Sequence, residues 1–403
     1  MASNTLRNRI AKNIPTIGLT VLAICTVLGL LYGILFLNNK YSITRIINLE
    51  LEQKTQTLQI EIDNLKRKIA ELESEDQRKV NKELSDRLNQ MQETYRKSVS
   101  VYEDLVDLKV ISKDTKKLDE LYANSITILT NNNWASASAQ LAQLSKDIAS
   151  EKAKVTAATA VTVPANAPAN NTPPSSGYSR QTVSTTAGNF VVSLISGDLG
   201  STKVIVDTAS DSDCTNNCPV LPLATYVSRS GAYAGVNGSY FCPASYPTCS
   251  GKTNSFDLLV MNKNKTYFNS SNNVYSTNPA VIFGGGYVRF VSAASSWGRD
   301  TGVDGVLSNY PLLVEGGNIK FTSDGDPKKG SKGNRSFVAN KGNTVYIGVV
   351  HSATVGEAAV ALKALGMENG LNLDDGGSTA LWSGGYKVGP GRDLPNVILF
   401  VKK

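Results

Sequence analysis

The sequence contains very little histidine and cysteine. Its 403 residues include one His and five Cys. Cysteine spacings of CxxxC and CxxxxxxC, with only one histidine in the chain, make a zinc site a weak alternative. A Ser–His–Asp hydrolase would have to use His351, and no nucleophile-elbow pattern precedes any serine. Both kinds of site are therefore disfavoured.

The chain also lacks a stripe of basic residues, and its first part has almost no glycine. The formal net charge of +7 is spread along the chain, which argues against nucleic acid as a partner. Residues 1–177 are densely charged and nearly free of glycine outside one apolar run. Residues 178–403 hold nearly all the glycine and most of the aromatic residues. This change in composition predicts a stalk followed by a globular domain.

One apolar run interrupts the charged first part. Residues 1–15 form a basic leader without acidic residues, and residues 16–37 carry no charge. Twenty-two apolar residues are enough to cross a bilayer as a helix, and no small-residue cleavage site follows. We therefore predict a signal anchor with a cytoplasmic N-terminus and an extracytoplasmic C-terminal domain. Lys40 and Arg45 weaken the charge asymmetry on which this orientation rests.

Cysteine usage supports the same orientation. Cys25 lies in the apolar run, whereas the other four cysteines all lie in the globular domain. Four cysteines in an exported domain indicate two disulfides, for which three connectivities exist. We favour the two local pairs, Cys214 with Cys218 and Cys242 with Cys249.

Three segments connect the apolar run to the globular domain. Residues 40–112 are predicted to form a coiled-coil stalk, because leucines recur every seven residues and isoleucines precede them by three. Such a stalk predicts a homodimer, and the alternative is a single amphipathic helix packed on its own chain. Residues 113–155 are predicted to form a helical hairpin. Residues 156–179 are rich in Pro, Ala and Thr and are predicted to form an extended linker.

The predicted fold class of residues 180–403 is α+β, with a mixed, mainly antiparallel sheet. Short β-rich runs alternate with turn clusters throughout this part. Thr354 and Glu357 form a predicted capping box that opens a helix, and Gly366 ends this helix. A strand precedes the helix, and another strand, at 371–374, follows it. This strand–helix–strand unit delivers Asp374.

Four stretches of the globular domain carry polar groups that are candidates for a site. Each also has an ordinary structural interpretation, as a turn, a solvated surface residue or an ion-pair partner. In the last stretch, glycines after a strand allow backbone N–H groups to form a concavity that suits phosphate. The four stretches are residues 235–241 with Asn237, residues 307–317 with Glu315, residues 334–339 with Arg335, and residues 370–379 with Asp374, Asp375, Gly376, Gly377 and Ser378.

In this order and spacing, the four stretches resemble the phosphodiester glycosidase domain family. The segments Asn-Gly-Ser-Tyr-Phe, Pro-Leu-Leu-Val-Glu-Gly, Arg-Ser-Phe-Val-Ala and Leu-Asn-Leu-Asp-Asp-Gly-Gly-Ser carry the resemblance, together with a closing Leu-Pro-Asn-Val. It covers about residues 185–403 and none of the stalk. Asp375 stands where members usually have Gly, and an additional carboxylate there needs a cation or a proton to compensate its charge.

The resemblance implies hydrolysis of a sugar-1-phosphodiester. A glycosidase of this kind needs carboxylates: Asp374 is the first choice, and Glu315 or Asp375 is the second. Arg335 and the glycine turn, together with Ser378, would hold the phosphate, and Asn237 would bind a sugar or phosphate oxygen. His351 is expected to contact the site. No cofactor is assigned, although a divalent cation at the two aspartates would fit.

A second class of function is compatible with the same residues. A membrane-anchored module that binds a cell-wall glycan or phosphopolymer would use the same arginine and glycine turn without turnover. Release of free sugar separates the two hypotheses, because a binding module releases none.

Overall fold

The structure is a computed structural model that describes residues 4–74, 76–161 and 169–403. The chain divides into two compact units, Met1–Asn89 and Gln90–Lys403. Each unit is described by itself below.

The first unit consists of long helix. Helix α1 spans Asn4–Ser74, and α2, which spans Asp76–Ile111, begins in this unit. The apolar stretch that starts at Val21 is long enough and apolar enough to cross a membrane, and its large side chains, such as Leu22 and Leu37, are exposed. The heptad leucines, including Leu58 and Leu65, are exposed too. The predicted coiled-coil dimer stays a prediction.

In the second unit, three helices form a small apolar core of their own. The end of α2 packs with α3, Lys116–Thr130, and α4, Trp134–Val161. Asn132, with a φ of 59°, provides the left-handed turn between α3 and α4. The fully buried residues of this core are Leu105, Leu108, Leu129, Leu141, Leu144 and Ile148. Burying one such side chain stabilises the fold by about 1.5–3 kcal/mol.

The rest of the second unit is built from short strands and short helices. Its further helices are α5 (Leu223–Ser230), α6 (Asn272–Tyr275), α7 (Pro327–Gly330) and α8 (Val355–Ala364). Its strands are β1 (Gly177–Thr185), β2 (Gly188–Asp198), β3 (Thr202–Thr208), β4 (Ala234–Asn237), β5 (Val260–Met261), β6 (Tyr267–Phe268), β7 (Ala280–Phe283), β8 (Val288–Val291), β9 (Gly305–Ser308), β10 (Leu312–Glu315), β11 (Asn318–Ile319), β12 (Gly333–Lys341), β13 (Thr344–Ala353), β14 (Asn369–Asn372), β15 (Leu381–Ser383), β16 (Tyr386–Val388) and β17 (Asn396–Lys402).

The strands form three sheets. A seven-stranded sheet has the order β1-β2-β13-β12-β14-β10-β11, a second has β16-β15-β4-β17-β3, and a third has β6-β5-β9-β7-β8. Neighbouring named strands are antiparallel in all three sheets. The predicted α+β class with a mainly antiparallel sheet is confirmed.

The seven-stranded sheet is buried on both faces. One face meets the other two sheets in a core that includes Ile347, Leu371 and Ile398. The opposite face is covered by α8, through residues such as Ala358 and Leu362. Because both faces are buried, the strands at the centre of this sheet are almost continuously apolar.

The strand–helix–strand unit forms as predicted. Thr354 accepts a hydrogen bond from the Glu357 amide, and the Glu357 side chain accepts one from the Thr354 amide. Gly366 adopts a φ of 76°, and this left-handed backbone conformation stops the helix. Strand β14 then runs antiparallel to β12, with Phe337 opposite Asn372. Asp374 follows two residues beyond the end of β14.

Both local disulfides form, Cys214–Cys218 and Cys242–Cys249. This is the connectivity that we favoured from the sequence. The predicted linker, residues 156–179, lies only partly within the described residues. Helix α4 continues to Val161, and β1 begins at Gly177, so both ends of this segment have regular secondary structure. The other predicted domain borders stay predictions.

Candidate active site

Asp374 lies at a buried junction of two sheets. The amide of Asp374 donates to the Gly238 carbonyl at 2.9 Å, and Asn237 Nδ2 donates to the Asp374 carbonyl at 2.7 Å. Asn237 Oδ1 in turn accepts from Ser336 Oγ at 2.8 Å and from the Ala380 amide at 3.1 Å. The backbone at Asp374 is therefore held from both sides, which fixes where its carboxylate lies.

Asp374 is only 9% exposed. Burial raises the pKa of Asp374 to about 7, while the neighbouring Ser378 hydroxyl and the Arg392 guanidinium oppose this rise. One carboxylate oxygen accepts from the Asp375 amide at 2.9 Å. A carboxyl group with a pKa near 7 can give up or take a proton at neutral pH, which suits general acid–base chemistry.

Asp375 is held by three donors. Its oxygens accept from the Ser336 amide at 3.0 Å, from Asn372 Nδ2 at 3.0 Å and from Arg335 Nη1 at 3.3 Å. Burial raises the pKa of Asp375, and the positive charge of Arg335 counters this rise. Arg335 thus compensates the negative charge of Asp375, which stands at a position where the resembled family usually has glycine.

Arg335 is itself almost fully buried, and its guanidinium group donates hydrogen bonds to the protein. Its Nε donates to the Ala353 carbonyl at 2.9 Å, and its Nη2 donates to the carbonyls of Lys328, at 3.0 Å, and of Ser331. Together with the pair to Asp375, these bonds occupy most of the guanidinium donors. Arg335 therefore positions Asp375 and the preceding loop, and its predicted share in holding the phosphate stays a prediction.

The glycine turn follows the two aspartates as a short 3₁₀ helix, Gly376–Ser378. Gly376 has a φ of 61°, a conformation that favours glycine. A side chain at Gly377 would meet Arg392, since a Cβ there would lie 2.6 Å from Arg392 Nη2. Within the described residues, the amides of Gly376 and Gly377 have no hydrogen-bond partner. Two free amides beside an arginine can bind an anion.

Arg392 connects this turn to helix α2. Its amide donates to the Gly377 carbonyl at 2.9 Å, and its Nη2 lies 2.5 Å from Asp107 Oδ1. Asp107 also accepts from the Tyr246 hydroxyl at 2.7 Å. One turn earlier, Glu103 accepts from Lys328 and from Thr248. Acidic side chains of α2 thus contact the cations at the rim of the site.

These elements enclose a cavity of about 270 Å³, here called the carboxylate cavity. Tyr240 contributes to its wall, and its hydroxyl accepts from Asn372 Nδ2 at 2.7 Å. Burial and the two nearby aspartates raise the pKa of Tyr240, so that its phenol stays protonated. Other lining residues are Asp104, Asp107, Lys152, Arg335, Asp374 and Arg392. This volume is close to that of small ligand sites.

Glu315 lies outside this site, contrary to our prediction that it could be the second carboxylate. Strand β10 runs antiparallel to β14 with Val314 opposite Gly370, so Glu315 lies at the end of β14 remote from Asp374. Four residues of strand separate Gly370 from Asp374, which is about 13 Å. Glu315 is half-exposed and pairs with Lys320 at 2.7 Å.

Asn237 is close to Asp374, as predicted, but it does not contact the cavity. Its side chain is fully buried, and both of its polar ends bond to the protein. These bonds hold the backbone of Asp374, and the role predicted for Asn237, binding a sugar or phosphate oxygen, stays a prediction.

His351 lies on the other side of the glycine turn. Its Nε2 is 2.9 Å from Ser193 Oγ, and its Nδ1 is 3.1 Å from Asn334 Oδ1. Burial lowers the pKa of His351 to about 3, so the ring is neutral and donates to Asn334 through Nδ1. Ser193 is fully buried in β2, so this arrangement lacks an accessible nucleophile.

Sequence reasoning missed three residues of the site: Tyr240, Arg392 and Asp107. Tyr240 and Arg392 lie in or beside segments that carry the family resemblance, and that proximity was the only signal in the sequence. Asp107 lies in a charged helical segment that gives no indication of its distant partners. Among the described residues, no group of three or more His, Cys, Asp or Glu side chains could hold a metal ion. The cation that we considered at the two aspartates stays a hypothesis.

One comparison with known proteins agrees with the resemblance. A family model described as phosphodiester glycosidase matches residues 230–401. No significant match was found among curated proteins. The zebrafish N-acetylglucosamine-1-phosphodiester alpha-N-acetylglucosaminidase catalytic domain, auto-inhibited by its pro-peptide, is 15% identical, with a TM-score of 0.45 over 59% of this chain and 87% of that one.

A hypothetical protein from Synechocystis is 14% identical, with a TM-score of 0.39 over 56% of this chain. The present chain spans 62% of the length of that protein. The family inferred from the four sequence stretches is confirmed by the family model: residues 230–401 carry a phosphodiester glycosidase domain.

Proposed function

We propose that this protein is a membrane-anchored extracytoplasmic hydrolase that releases a sugar from a sugar-1-phosphodiester, in glycans of the cell envelope or in exopolysaccharide. One observation carries the proposal. Asp374, a buried carboxyl group with a pKa of about 7, lies in one cavity with Arg392 and with the turn that has two free amides.

Each part of this cavity matches a requirement of the reaction. Asp374 takes a proton from the water that attacks the anomeric carbon, while the bond from that carbon to the phosphate oxygen breaks. Asp375, rather than Glu315, is the second carboxylate, and its hydrogen bonds fix its position. The amides of Gly376 and Gly377 and the guanidinium of Arg392 hold the phosphate. A phosphate is a fair leaving group, so protonation of the leaving oxygen is not demanding.

The proposal is tested with the full chain in detergent micelles and a panel of sugar-1-phosphodiesters that differ in the sugar. Free reducing sugar should appear with at least one of them. Binding of a panel member without any release of sugar would instead support the alternative, a surface module that binds a glycan or phosphopolymer.

We further propose that the N-terminus is cytoplasmic and that the globular domain lies outside. The basic leader and the two disulfides support this orientation. Protease added to intact cells should remove the globular domain and leave a small membrane-bound fragment. Complete protection of the domain in accessible cells would refute the orientation.

The stalk is proposed to form a parallel dimer, because its heptad leucines and isoleucines are exposed to solvent. Replacing both Leu58 and Leu65 by Asn in the full chain should shift the molecular mass in light scattering from dimer towards monomer. An unchanged mass, or a monomeric parent protein, would contradict this proposal.

A further inference from the structure

A second cavity, of about 430 Å³, lies on the other side of the glycine turn. Gly376 lines both this cavity and the carboxylate cavity. A small cavity of about 30 Å³ has lining residues in common with both: Asp107 and Lys152 with the carboxylate cavity, and Ile111 and Asn334 with the second cavity. The two cavities are therefore neighbours along the turn.

The two cavities differ in charge. Five aspartates and six lysines or arginines line the carboxylate cavity. The second cavity has no acidic residue in its lining, and its charged residues are Arg180 and Lys387. An anion in the second cavity therefore meets two cations and no carboxylate among the lining residues, whereas the aspartates of the carboxylate cavity offset its cations.

The two cations of the second cavity have no acidic partner among the described residues. Arg180 Nε is buried and has no hydrogen-bond partner. Lys387 lies over the ring of Tyr178, at 5.2 Å from its centre. In the part of the chain that the structure describes, no acidic side chain forms an ion pair with either residue. A buried guanidinium donor without a partner is costly unless a ligand supplies the acceptor.

The rest of the wall is neutral. His351, whose pKa is lowered to about 3 by burial and by Arg180, adds no charge at neutral pH. Ser352 beside it has a φ of 53°, a strained conformation of the kind found at ligand sites. Helices α2 and α4 contribute Val110, Ile111 and Val155. The cavity thus combines two cations with an apolar side.

We propose that the second cavity is the subsite for a phosphate-bearing aglycone, so that the substrate carries a negative charge beyond that of the scissile phosphodiester. This inference rests on the proposed function. The sugar occupies the carboxylate cavity, the scissile phosphate lies at the amides of Gly376 and Gly377, and the aglycone phosphate pairs with Arg180 and Lys387.

The test compares two substrates of the full chain in detergent: a sugar-1-phosphodiester of methanol and one of glycerol 3-phosphate. The parent protein should have the higher kcat/KM for the glycerol 3-phosphate diester. In the double variant Arg180→Gln, Lys387→Gln, this preference should fall about 10- to 100-fold, the loss expected for two charge-assisted bonds. Lys387→Gln alone, which removes no buried group, should lower it about 5-fold. The matched control Arg96→Gln, Lys363→Gln removes two exposed cations and should keep the preference.

Binding of glycerol 3-phosphate itself, measured by titration calorimetry, is a readout that does not need turnover. The dissociation constant should rise about 10-fold in the Arg180→Gln, Lys387→Gln variant and stay unchanged in the control variant. If neither diester is hydrolysed and this binding still depends on the two cations, the subsite stands and the proposed function fails. If sugar is released from both diesters with equal kcat/KM, or glycerol 3-phosphate binding is the same in all variants, the subsite is refuted and the proposed hydrolase stands.

Discussion

Replacing Asp374 by Asn should abolish sugar release and, at the same time, stabilise the protein above neutral pH. The amide keeps the size of the side chain and can still accept the 2.9 Å bond from the Asp375 amide, but it cannot exchange a proton. Loss of a general acid–base group lowers the rate by about 10²–10⁴-fold. We therefore expect at least about a 100-fold fall in kcat, measured as free sugar released by the full chain.

The change in stability follows from the pKa of Asp374. The pKa is about 7 in the folded protein and 3.8 for the ordinary side chain, so the folded state binds the proton more tightly than the unfolded state. Stability is therefore lost as the pH rises from about 4 to about 7, and the loss is complete above pH 7. The neutral side chain of the Asp374→Asn variant would avoid a penalty of roughly 2–4 kcal/mol at pH 8.

Chemical denaturation at pH 8 and at pH 4 measures this difference. The variant should be the more stable protein at pH 8, and the gap should nearly close at pH 4. Glu315→Gln is the matched control, because it removes a half-exposed carboxylate that lies at the end of β14 remote from Asp374. It should change neither the rate nor the pH dependence. A fully active Asp374→Asn variant, or an equal loss in Glu315→Gln, would show that the wrong carboxylate has been assigned.

The parts of this fold that the sequence predicts are those determined by neighbouring residues. Helix α8 begins at a capping box within four residues and ends at a glycine, and strand β14 follows directly. Asp374 and the glycine turn come next in the same short stretch. Each of these features depends on local backbone preferences, which a single sequence displays.

The parts that could not be predicted depend on pairing between distant segments. Whether Glu315 lies beside Asp374 or at the other end of β14 is decided by the direction and register of β10 against β14. An antiparallel pairing places the last residue of β10 beside the first residues of β14. The family resemblance conveys the order of the segments and not this register, and so it could not distinguish Glu315 from Asp375 as the second carboxylate.

Contacts between distant segments also decide where the helices beside the site lie. The spacing of apolar residues in α2 and α4 indicates helices, but it carries no information about what the helices cover. The ion pair between Asp107 and Arg392 joins residues 285 positions apart. Only the folded chain shows that α2 contributes an acidic side chain to the carboxylate cavity.

Replacing Arg335 by Ala should lower the stability of the folded protein more than a surface substitution does. Arg335 is 5% exposed. Its loss leaves the Asp375 carboxylate without its cation and removes the guanidinium donors from the carbonyls of Ala353 and Lys328. Removing one partner of a buried ion pair costs about 3–5 kcal/mol. We expect a fall of this size in the free energy of unfolding, measured by urea denaturation at pH 7. Arg289→Ala, which removes an arginine with one bond to a carbonyl, is the matched control and should cost about 1 kcal/mol.

A double-mutant cycle separates the pair from the other bonds of Arg335. If the buried charge of Asp375 causes much of the loss, Asp375→Asn should cost less in the Arg335→Ala background than in the parent protein, with a coupling energy of at least about 1 kcal/mol. Arg335→Lys should recover only part of the stability, because one ammonium group cannot reach the acceptors that the guanidinium serves on three sides. Additive losses in the cycle, or full recovery by lysine, would mean that Arg335 does not hold Asp375. Arg335 would then be available to the phosphate, as the resemblance implied.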